Sequence, residues 1–195
     1  MLTCVSDVNA TSADARRALA GWVEQGVEPG VAPAGLELVR ALLNTDDRFH
    51  GVDRLAGTGP TWLVELRDAL RTQVTTGDAT AVDALAARGP LLVSLAGGAA
   101  RLVPASHDDA SAGTGAVLAL VHAAGADGGW GRLKACANPG CQWVYYDRSR
   151  NRSGRWCSMG ECGDVMKARA YRGRRRAGSA RESAPSGGGA TASGA

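Results

Sequence analysis

Two closely spaced pairs of cysteines frame the segment CANPGCQWVYYDRSRNRSGRWCSMGEC, which runs from Cys136 to Cys162. Cys141 completes the first pair and Cys157 opens the second, so that four residues separate the cysteines of each pair and 15 residues separate the pairs. Four thiolates at such spacing suit a single tetrahedral Zn²⁺, because structural zinc sites take all four ligands from the protein. The sequence therefore predicts one structural zinc ion held by Cys136, Cys141, Cys157 and Cys162.

Glycines inside both pairs support this prediction. Pro139 and Gly140 allow a tight turn between the first two cysteines, and Gly160 gives the same freedom within the second pair. The alternatives are two disulfides or an iron–sulfur cluster, but neither pair has a ferredoxin spacing. Clustered cysteines without a secretory signal favour a metal site in a reducing, cytoplasmic compartment. The fifth cysteine, Cys4, lies outside both pairs and is expected to be a lone thiol.

Charge is distributed unevenly along the chain. Residues 1–131 contain nine arginines and 15 acidic residues, for a net charge of −6, whereas residues 132–176 contain 12 basic and three acidic residues, for a net charge of +9. Because four thiolates on Zn²⁺ carry a net charge of −2, the zinc-loaded segment would keep a charge of about +7. An acidic domain joined to a basic module indicates a binding role for the basic part.

Ten basic side chains of this module are candidates for nucleic-acid contact. Four lie in the loop between the cysteine pairs, and six lie on or just after a helix predicted over residues 163–176. Guanidinium groups pair with phosphates and guanine edges, and polyanion binding gains from counterion release. The candidates are Arg148, Arg150, Arg152, Arg155, Lys167, Arg169, Arg172, Arg174, Arg175 and Arg176. For any one of them the alternative is a solvated surface charge, and the module's Trp and Tyr residues are expected to form its core in preference to stacking on bases.

The residues upstream predict a mostly helical domain. Apolar residues recur there at helical spacing, and a Gly97-Gly98 turn between two apolar runs predicts one β-hairpin. The predicted helices cover residues 12–25, 34–43, a segment from 61, 78–88 and 114–124. The predicted fold class is therefore α+β: a mostly helical N-terminal domain with one β-hairpin, followed by a small treble-clef-like zinc finger.

Polar residues that follow the second predicted helix have two interpretations. Asn44, Thr45, Asp47 and Arg48 could line a pocket, which would make the N-terminal domain a ligand sensor. They could also form an ordinary helix end with a polar loop, which is the interpretation that we favour.

Several motifs in the cysteine segment resemble the CGNR zinc finger family. They are Leu133-Lys134-Ala135-Cys136, Cys141-Gln142-Trp143, Tyr146-Asp147-Arg148-Ser149-Arg150-Asn151, Arg155-Trp156-Cys157-Ser158-Met159, Cys162-Gly163 and Lys167-Ala168-Arg169. In that family the finger follows an ABATE domain, a mostly helical module of stress-responsive transcription regulators. The run Leu42-Leu43-Asn44-Thr45 is similar to the N-terminal motif of that domain, so the resemblance covers residues 36–176. It implies a DNA-binding transcription regulator.

The motif that names the family is altered in this chain. The corresponding residues are Cys162-Gly163-Asp164-Val165, so the zinc ligand is retained but the Asn and the Arg are absent. Asp164 places a negative charge in the first turn of the predicted helix. Such a charge suits the helix dipole, but it opposes a phosphate docking at that end.

These observations predict four segments. They are an extra N-terminal helix and linker (1–35), an ABATE-like helical domain with a hairpin (36–131), a CGNR-type zinc finger (132–176) and a disordered tail (177–195). The expected function is transcription regulation, with the finger bound to nucleic acid, preferably duplex DNA, and the N-terminal domain sensing a ligand or forming a homodimer. The alternative is an adaptor whose basic finger binds an acidic protein. We expect no enzymatic activity, because no nucleophile–base pair or open metal site is present, and no membrane contact, because no apolar run could cross a bilayer.

Overall fold

The computed structural model describes residues 13, 15–19, 21–23, 31–96, 98 and 100–182, with the side chains of 178–182 excepted. In chain order the elements are α1 (Leu36–Leu43), β1 (Asp46–Asp47), β2 (Val52–Asp53), α2 (Thr61–Thr76), α3 (Thr80–Arg88), β3 (Leu91–Ser94), β4 (Arg101–Pro104), α4 (Asp109–Ala126), β5 (Leu133–Ala135), β6 (Val144–Tyr146) and α5 (Asp164–Glu182). The strands pair as three antiparallel hairpins, β1–β2, β3–β4 and β5–β6. The chain therefore has a mixed α+β fold, as predicted.

The first predicted helix, over residues 12–25, lies partly outside the described residues. Residues 15–19 are helical, and Ala15 and Leu19 are buried in the main core. Cys4 also lies outside the described residues. Among the described residues, no helix combines the length and the apolar character needed to cross a membrane.

The main core is built around α1, of which every residue is buried. Helices α2 and α4 pack on it with the aliphatic side chains that their helical spacing places on one face, including Leu63, Leu66 and Val117. Even the charged residues of α1 are accommodated, because Arg40 Nε and Nη2 donate to the two carboxylate oxygens of Glu37 at 2.7 Å each. Leucine, valine and alanine thus supply most of this core.

Helix α4 is longer than the sequence predicts. It begins at Asp109 and ends at Ala126, whereas the apolar pattern indicated residues 114–124. Its start is set by Asp108, whose carboxylate accepts a hydrogen bond of 2.9 Å from the backbone N–H of Ser111. The polar first turn carries no apolar stripe, and the prediction therefore missed it.

The described residues before 132 form two hairpins, and the prediction of one hairpin is corrected. The predicted one is observed, with Leu91 opposite Pro104 at one end of β3–β4. The second one, β1–β2, is held by arginines of α2. Arg67 pairs with both carboxylate oxygens of Asp53 at 2.5 and 3.0 Å, and Arg71 donates to the carbonyl of Asp46 at 2.6 Å. Strands of two residues that depend on such distant contacts leave no alternating pattern in the sequence.

The last helix also extends further than expected. The sequence predicts a helix that ends near Arg176 and a disordered tail from 177, but α5 continues to Glu182. Alanine, arginine and glutamate are common in the added turn and favour helix strongly. Residues 183–195 of the predicted tail lie outside the described part of the chain.

The hairpin β5–β6 of the cysteine segment belongs to the main core. Leu133 and Val144 are 5% and 0% exposed and lie in the same apolar cluster as α1, α2 and α4. Trp130 and Tyr146 also pack against that cluster. The basic segment is therefore seated on the helical domain through its own apolar residues.

Candidate metal centre

The four predicted cysteine ligands converge on one point. Their Sγ atoms all lie within 4.8 Å of one another, with 3.6 Å between Cys141 and Cys157 and 3.9 Å between Cys157 and Cys162. Sulfurs bound tetrahedrally at the usual zinc–sulfur length lie about 3.8 Å apart. None of the four forms a disulfide. The donor set thus fits one zinc ion, and the predicted ligand set comes together in the folded chain.

The first cysteine pair lies on a tight knuckle. The carbonyl of Asn138 accepts the N–H groups of Cys141 and Gln142 at 2.9 and 3.1 Å, and Gln142 adopts a φ of 51° to complete the turn. The side chain of Asn138 accepts from Gly140 at 3.2 Å and donates to Cys162 Sγ at 3.4 Å. Asn138 therefore shapes the first ligand turn and also stabilises a thiolate of the second.

Residues 132–175 match the CGNR zinc finger family. The match covers 44 of the 195 residues, so it identifies this zinc finger and not the whole chain. No curated protein matches the chain. Four close cysteines inside a zinc-finger segment could bind one zinc ion, and Cys136, Cys141, Cys157 and Cys162 would hold it. We call residues 132–175 the zinc finger from here on.

The second cysteine pair opens helix α5. The side chain of Ser158 accepts from the backbone N–H of Glu161 at 3.3 Å, and its carbonyl accepts the N–H groups of Cys162 and Gly163 at 3.2 and 3.0 Å. These bonds wind Met159–Gly163 into a wide helical turn that leads into α5 and places the last ligand at its base. The direction of α5 is thereby tied to the metal centre.

The thiols need a cation to become four thiolates together. Burial raises the pKa of the Cys141 thiol to about 12, and burial together with the charges of Cys141 and Cys136 raises the pKa of Cys157 above its usual range. Hydrogen bonds from the backbone N–H groups of Cys157 and Asn138 outweigh burial at Cys136 and lower the pKa of that thiol. A bound Zn²⁺ supplies the opposing charge that stabilises all four anions.

A buried aspartate shapes the loop between the cysteine pairs. Asp147 is 4% exposed, and its carboxylate accepts from Lys134 Nζ at 2.7 Å and from the N–H groups of Ser149 and Gly154 at 3.0 and 2.9 Å. Lys134 also donates to the carbonyls of Arg152 and Gly154, so both ends of the loop are fastened to one ion pair. Sequence analysis named no role for Asp147. The one sign of such a role in the sequence is an acidic residue beside a run of basic residues.

We expect Asp147→Asn to destabilise the protein at pH 7 by about 1–3 kcal/mol, because the amide loses the ion pair and turns a donor toward Lys134 and Gly154. Burial alone would raise the pKa of Asp147, but the hydrogen bonds from Lys134, Ser149 and Gly154 hold it well below its usual range. The stabilisation is therefore present above about pH 4 and is lost as the pH falls through the folded-state pKa.

Urea unfolding at pH 7 measures this difference. Asp164→Asn is the matched control, because the Asp164 carboxylate is largely exposed and lies 3.9 Å from its nearest ammonium, that of Lys167. A variant Asp147→Asn as stable as Asp164→Asn would contradict the role given to Asp147.

The four arginines of the loop are exposed but differ in their contacts. Arg150 and Arg152 project from the fastened loop into solvent. Arg148 Nη2 donates to the carbonyl of Val31 at 2.9 Å and so reaches the helical domain, and the guanidinium of Arg155 lies 5.2 Å from the centre of the Trp156 ring. All four leave donor atoms at the surface around the metal centre.

The six basic candidates of the helix lie on α5. Every described side chain from Lys167 to Ala177 is exposed. Arg169 Nη1 approaches the sulfur of Met166 at 3.9 Å, and the guanidinium of Arg175 lies 5.9 Å from the centre of the Tyr171 ring. Both contacts are local to the helix, which therefore presents its basic side chains to solvent.

The aromatic residues between the two cysteine pairs pack inward. Trp143 and Trp156 pack against the cysteines, Tyr145 is 5% exposed and Tyr146 packs on the main core. This arrangement agrees with the predicted core role. Burial and the charge of Asp147 raise the pKa of Tyr145, so its phenol stays neutral.

Asn44 fastens the finger to the helical domain. Its Nδ2 donates to the carbonyl of Val144 and its Oδ1 accepts from the Val144 N–H, both at 2.8 Å. Arg71 Nη1 adds a bond of 3.1 Å to the carbonyl of Gln142. Asn44 is buried at the end of α1, in agreement with the helix-end interpretation. Its hydrogen-bond partner, Val144, lies 100 residues further along the chain. Sequence reasoning missed this contact.

The other residues of the pocket hypothesis lie at different depths. Thr45 is buried and donates its hydroxyl to the carbonyl of Leu42 at 2.7 Å. Arg48 donates to the side chain of Gln142 in the finger. Asp47 lines a cavity of about 390 Å³ that also reaches His50 and three of the four cysteines, Cys141, Cys157 and Cys162. Asn44 and Thr45 therefore stabilise the structure, whereas Asp47 borders open space.

Proposed function

We propose that this chain binds nucleic acid through its zinc finger and regulates transcription, and that its role is binding and not catalysis. The observation that carries the proposal is the loop Arg148–Arg155, whose backbone is fastened by Asp147 and Lys134 beside the metal centre while its four arginines remain exposed. Cations on a fastened backbone lose less backbone freedom on binding a polyanion than cations on a flexible arm do.

The charge of the finger supports a polyanionic partner. The finger together with Arg176, residues 132–176, carries +9, and about +7 once zinc and its thiolates are counted. The buried ion pair of Asp147 and Lys134 removes one of the few acids from the surface. Phosphate backbones reward such a surface through the release of their counterions.

We assign the helical domain a sensing or dimerising role, in line with its resemblance to ABATE domains of stress-responsive regulators. A cavity of about 720 Å³ supports the sensing role, since it is bordered by the rings of Trp22, Trp62 and His107 and by the charged Asp109. Aromatic rings beside polar and charged groups are among the linings that ligand pockets use. The contact between Asn44 and Val144 offers a direct link from this domain to the finger.

We further assign the finger to the treble-clef type. This assignment is supported by a first ligand pair on a knuckle beside the hairpin β5–β6 and by a last ligand, Cys162, at the base of a helix.

Nucleic-acid binding predicts a steep salt dependence. For duplex DNA the logarithm of the affinity is expected to fall by about 0.9 per log unit of salt for each phosphate contacted. The double variant Arg150→Ala/Arg152→Ala should weaken binding at all salt concentrations and lower that slope by about 1.8. Fluorescence anisotropy with zinc-loaded protein on duplex DNA, single-stranded DNA and RNA measures both quantities.

The control for this experiment is Arg54→Ala/Arg88→Ala, which removes the same charge from exposed positions of the helical domain. It should leave the slope unchanged. If the wild-type protein binds none of the three nucleic acids at low salt, the regulator proposal is wrong. Capture of an acidic protein through Arg150 and Arg152 would then support the adaptor in its place.

A further inference from the structure

Helix α5 is exposed on all sides for most of its length. Its base is fixed by Cys162 and the turn before it, but every described side chain from Lys167 to Ala177 faces solvent. These 11 residues extend about 16 Å along the helix axis. A helix with no buried face gains little stability from packing, so its natural complement is a partner that surrounds it.

The basic residues of α5 form two opposite flanks. At about 100° per residue, Lys167 and Arg174 lie within about 20° of each other around the axis. Arg169 and Arg176 also lie within about 20° of each other, and the two pairs are about 160° apart. Each flank therefore carries two positive charges about two turns apart along the helix.

The two arcs between these flanks differ in size and charge. Between Lys167 and Ala177 the shorter arc contains only Ala170, Gly173 and Ala177, so the backbone is nearly bare there, and the half-buried Met166 lies on the same arc one turn nearer the metal centre. The longer arc contains Arg172 and Arg175, together with the ring of Tyr171 on which Arg175 lies. One side of the helix can thus approach a surface closely, with a cationic wall on either side of the contact.

We propose that α5 lies in the major groove of duplex DNA, with the Ala170–Gly173 side toward the base edges and the two basic flanks on the two phosphate backbones. This inference rests on the proposed nucleic-acid binding. It adds which form of nucleic acid is bound and how the helix is oriented on it. Charge complementarity favours duplex DNA as the partner, because its major groove has a row of negatively charged phosphates on each side.

The dimensions of the groove agree with this placement. The major groove of B-form DNA is about 12 Å wide and about 8.5 Å deep, and an α-helix with its side chains is about 10–12 Å across. Small side chains on the groove side allow deep entry, while arginine and lysine reach sideways to phosphates. A single strand or an acidic helix offers one row of charge and would engage one flank only.

The small side chains on the groove side from Ala170 to Ala177 also predict weak sequence preference. Base discrimination depends on side chains such as Arg, Asn or Gln that reach base edges. Alanine and glycine make no such contacts, so most of the affinity should come from phosphates. Binding is therefore expected to vary little with base sequence.

Three double variants of the full, zinc-loaded chain test the two flanks. They are Lys167→Gln/Arg174→Gln, Arg169→Gln/Arg176→Gln and, as the control on the longer arc, Arg172→Gln/Arg175→Gln. All three remove two positive charges from exposed sites of one helix. Each flank variant should lower duplex affinity about tenfold or more at low salt and reduce the salt slope by about 1.8, and the control should change affinity by less than about threefold.

A second pair of variants tests the approach of the bare side without any change of charge. Ala170→Leu is expected to weaken duplex binding several-fold, whereas Ala168→Leu, on the longer arc, should not. Both residues are exposed, and leucine is a good helix former, so the fold should tolerate either change. Zinc content and thermal unfolding verify that each variant is folded.

The outcomes separate this inference from the proposed function. Wild-type protein that binds no nucleic acid overturns both. Binding in which the three double variants lose the same affinity shows bulk electrostatic attraction and overturns only the major-groove placement. Preference for single-stranded nucleic acid, dependence on one flank alone, or equal effects of the two leucine variants also overturns it.

Discussion

The variant Cys162→Ser is expected to lose its zinc and to unfold the zinc finger. Cys162 is 1% exposed, accepts from Asn138 and ends the turn that leads into α5, so its loss removes a ligand and a structural anchor together. Apparent zinc binding in small structural sites is worth about 10–16 kcal/mol, which greatly exceeds the other stabilising contributions in such a small module. Amide hydrogen exchange should show loss of protection across residues 136–163.

The helical domain should respond less severely. Amides of α2 and α4 are expected to keep most of their protection, because these helices pack on α1 through their own leucines and valines. The melting temperature should still fall, since Leu133 and Val144 leave the shared core and each buried aliphatic side chain contributes about 1.5–3 kcal/mol. Chelation of zinc from the wild-type protein should reproduce this pattern.

Cys4→Ser is the matched control, because Cys4 belongs to neither of the two closely spaced cysteine pairs of the sequence. Elemental analysis should give about one zinc per chain for this variant and none for Cys162→Ser. Full zinc content in Cys162→Ser, or disulfides among the four cysteines in purified wild-type protein, would contradict the assignment of the metal centre.

The second large effect is expected from Asn44→Ala. This change leaves the N–H and the carbonyl of Val144 without their side-chain partner inside the core, where Val144 itself is 0% exposed. Each buried polar group left unsatisfied costs about 1–3 kcal/mol, so a loss of about 2–5 kcal/mol is expected. Arg40, at 3.4 Å from the same carbonyl, can offset part of that loss.

Chemical unfolding at pH 7 measures the loss, and hydrogen exchange locates it. Protection should fall first at Val144 and its neighbours in β6, because Asn44 provides the bonds on that side of the strand. Asn151→Ala is the control, since Asn151 is exposed on the loop of the finger. Equal stability of the two variants would show that the finger does not depend on this contact.

The metal centre was predictable because its information is local. Two cysteines separated by four residues, with a turn-forming residue among them, can bring their sulfurs together. Two such pairs supply the four ligands of a tetrahedral site. Helix α2 was predictable for a similar reason, since Leu63, Leu66 and Leu70 recur at the spacing that places them on one face. In both cases the pattern is complete within a short run of residues.

The hairpin β1–β2 shows why other elements were missed. Its strands are two residues long, and their positions depend on Arg67 and Arg71 from a helix further along the chain. No property of residues 46–53 by themselves predicts that partner. The role of Asp147 was hidden in the same way, because a carboxylate in a basic run does not reveal which donors will surround it.

By itself the sequence determined the four ligands, the uneven charge and the order of most elements, because spacing, charge and helical periodicity are properties of neighbouring residues. Only the tertiary structure decided that Asn44 pairs with the backbone of Val144, that Leu133 and Val144 complete a core shared by the finger and the helices, and that α5 stands in solvent. These features depend on which surfaces meet across about 100 residues of chain. These contacts are stabilised by the burial of apolar surface and by hydrogen bonds to buried backbone groups. Both contributions come from residues far apart in the sequence, so no local sequence pattern predicts them.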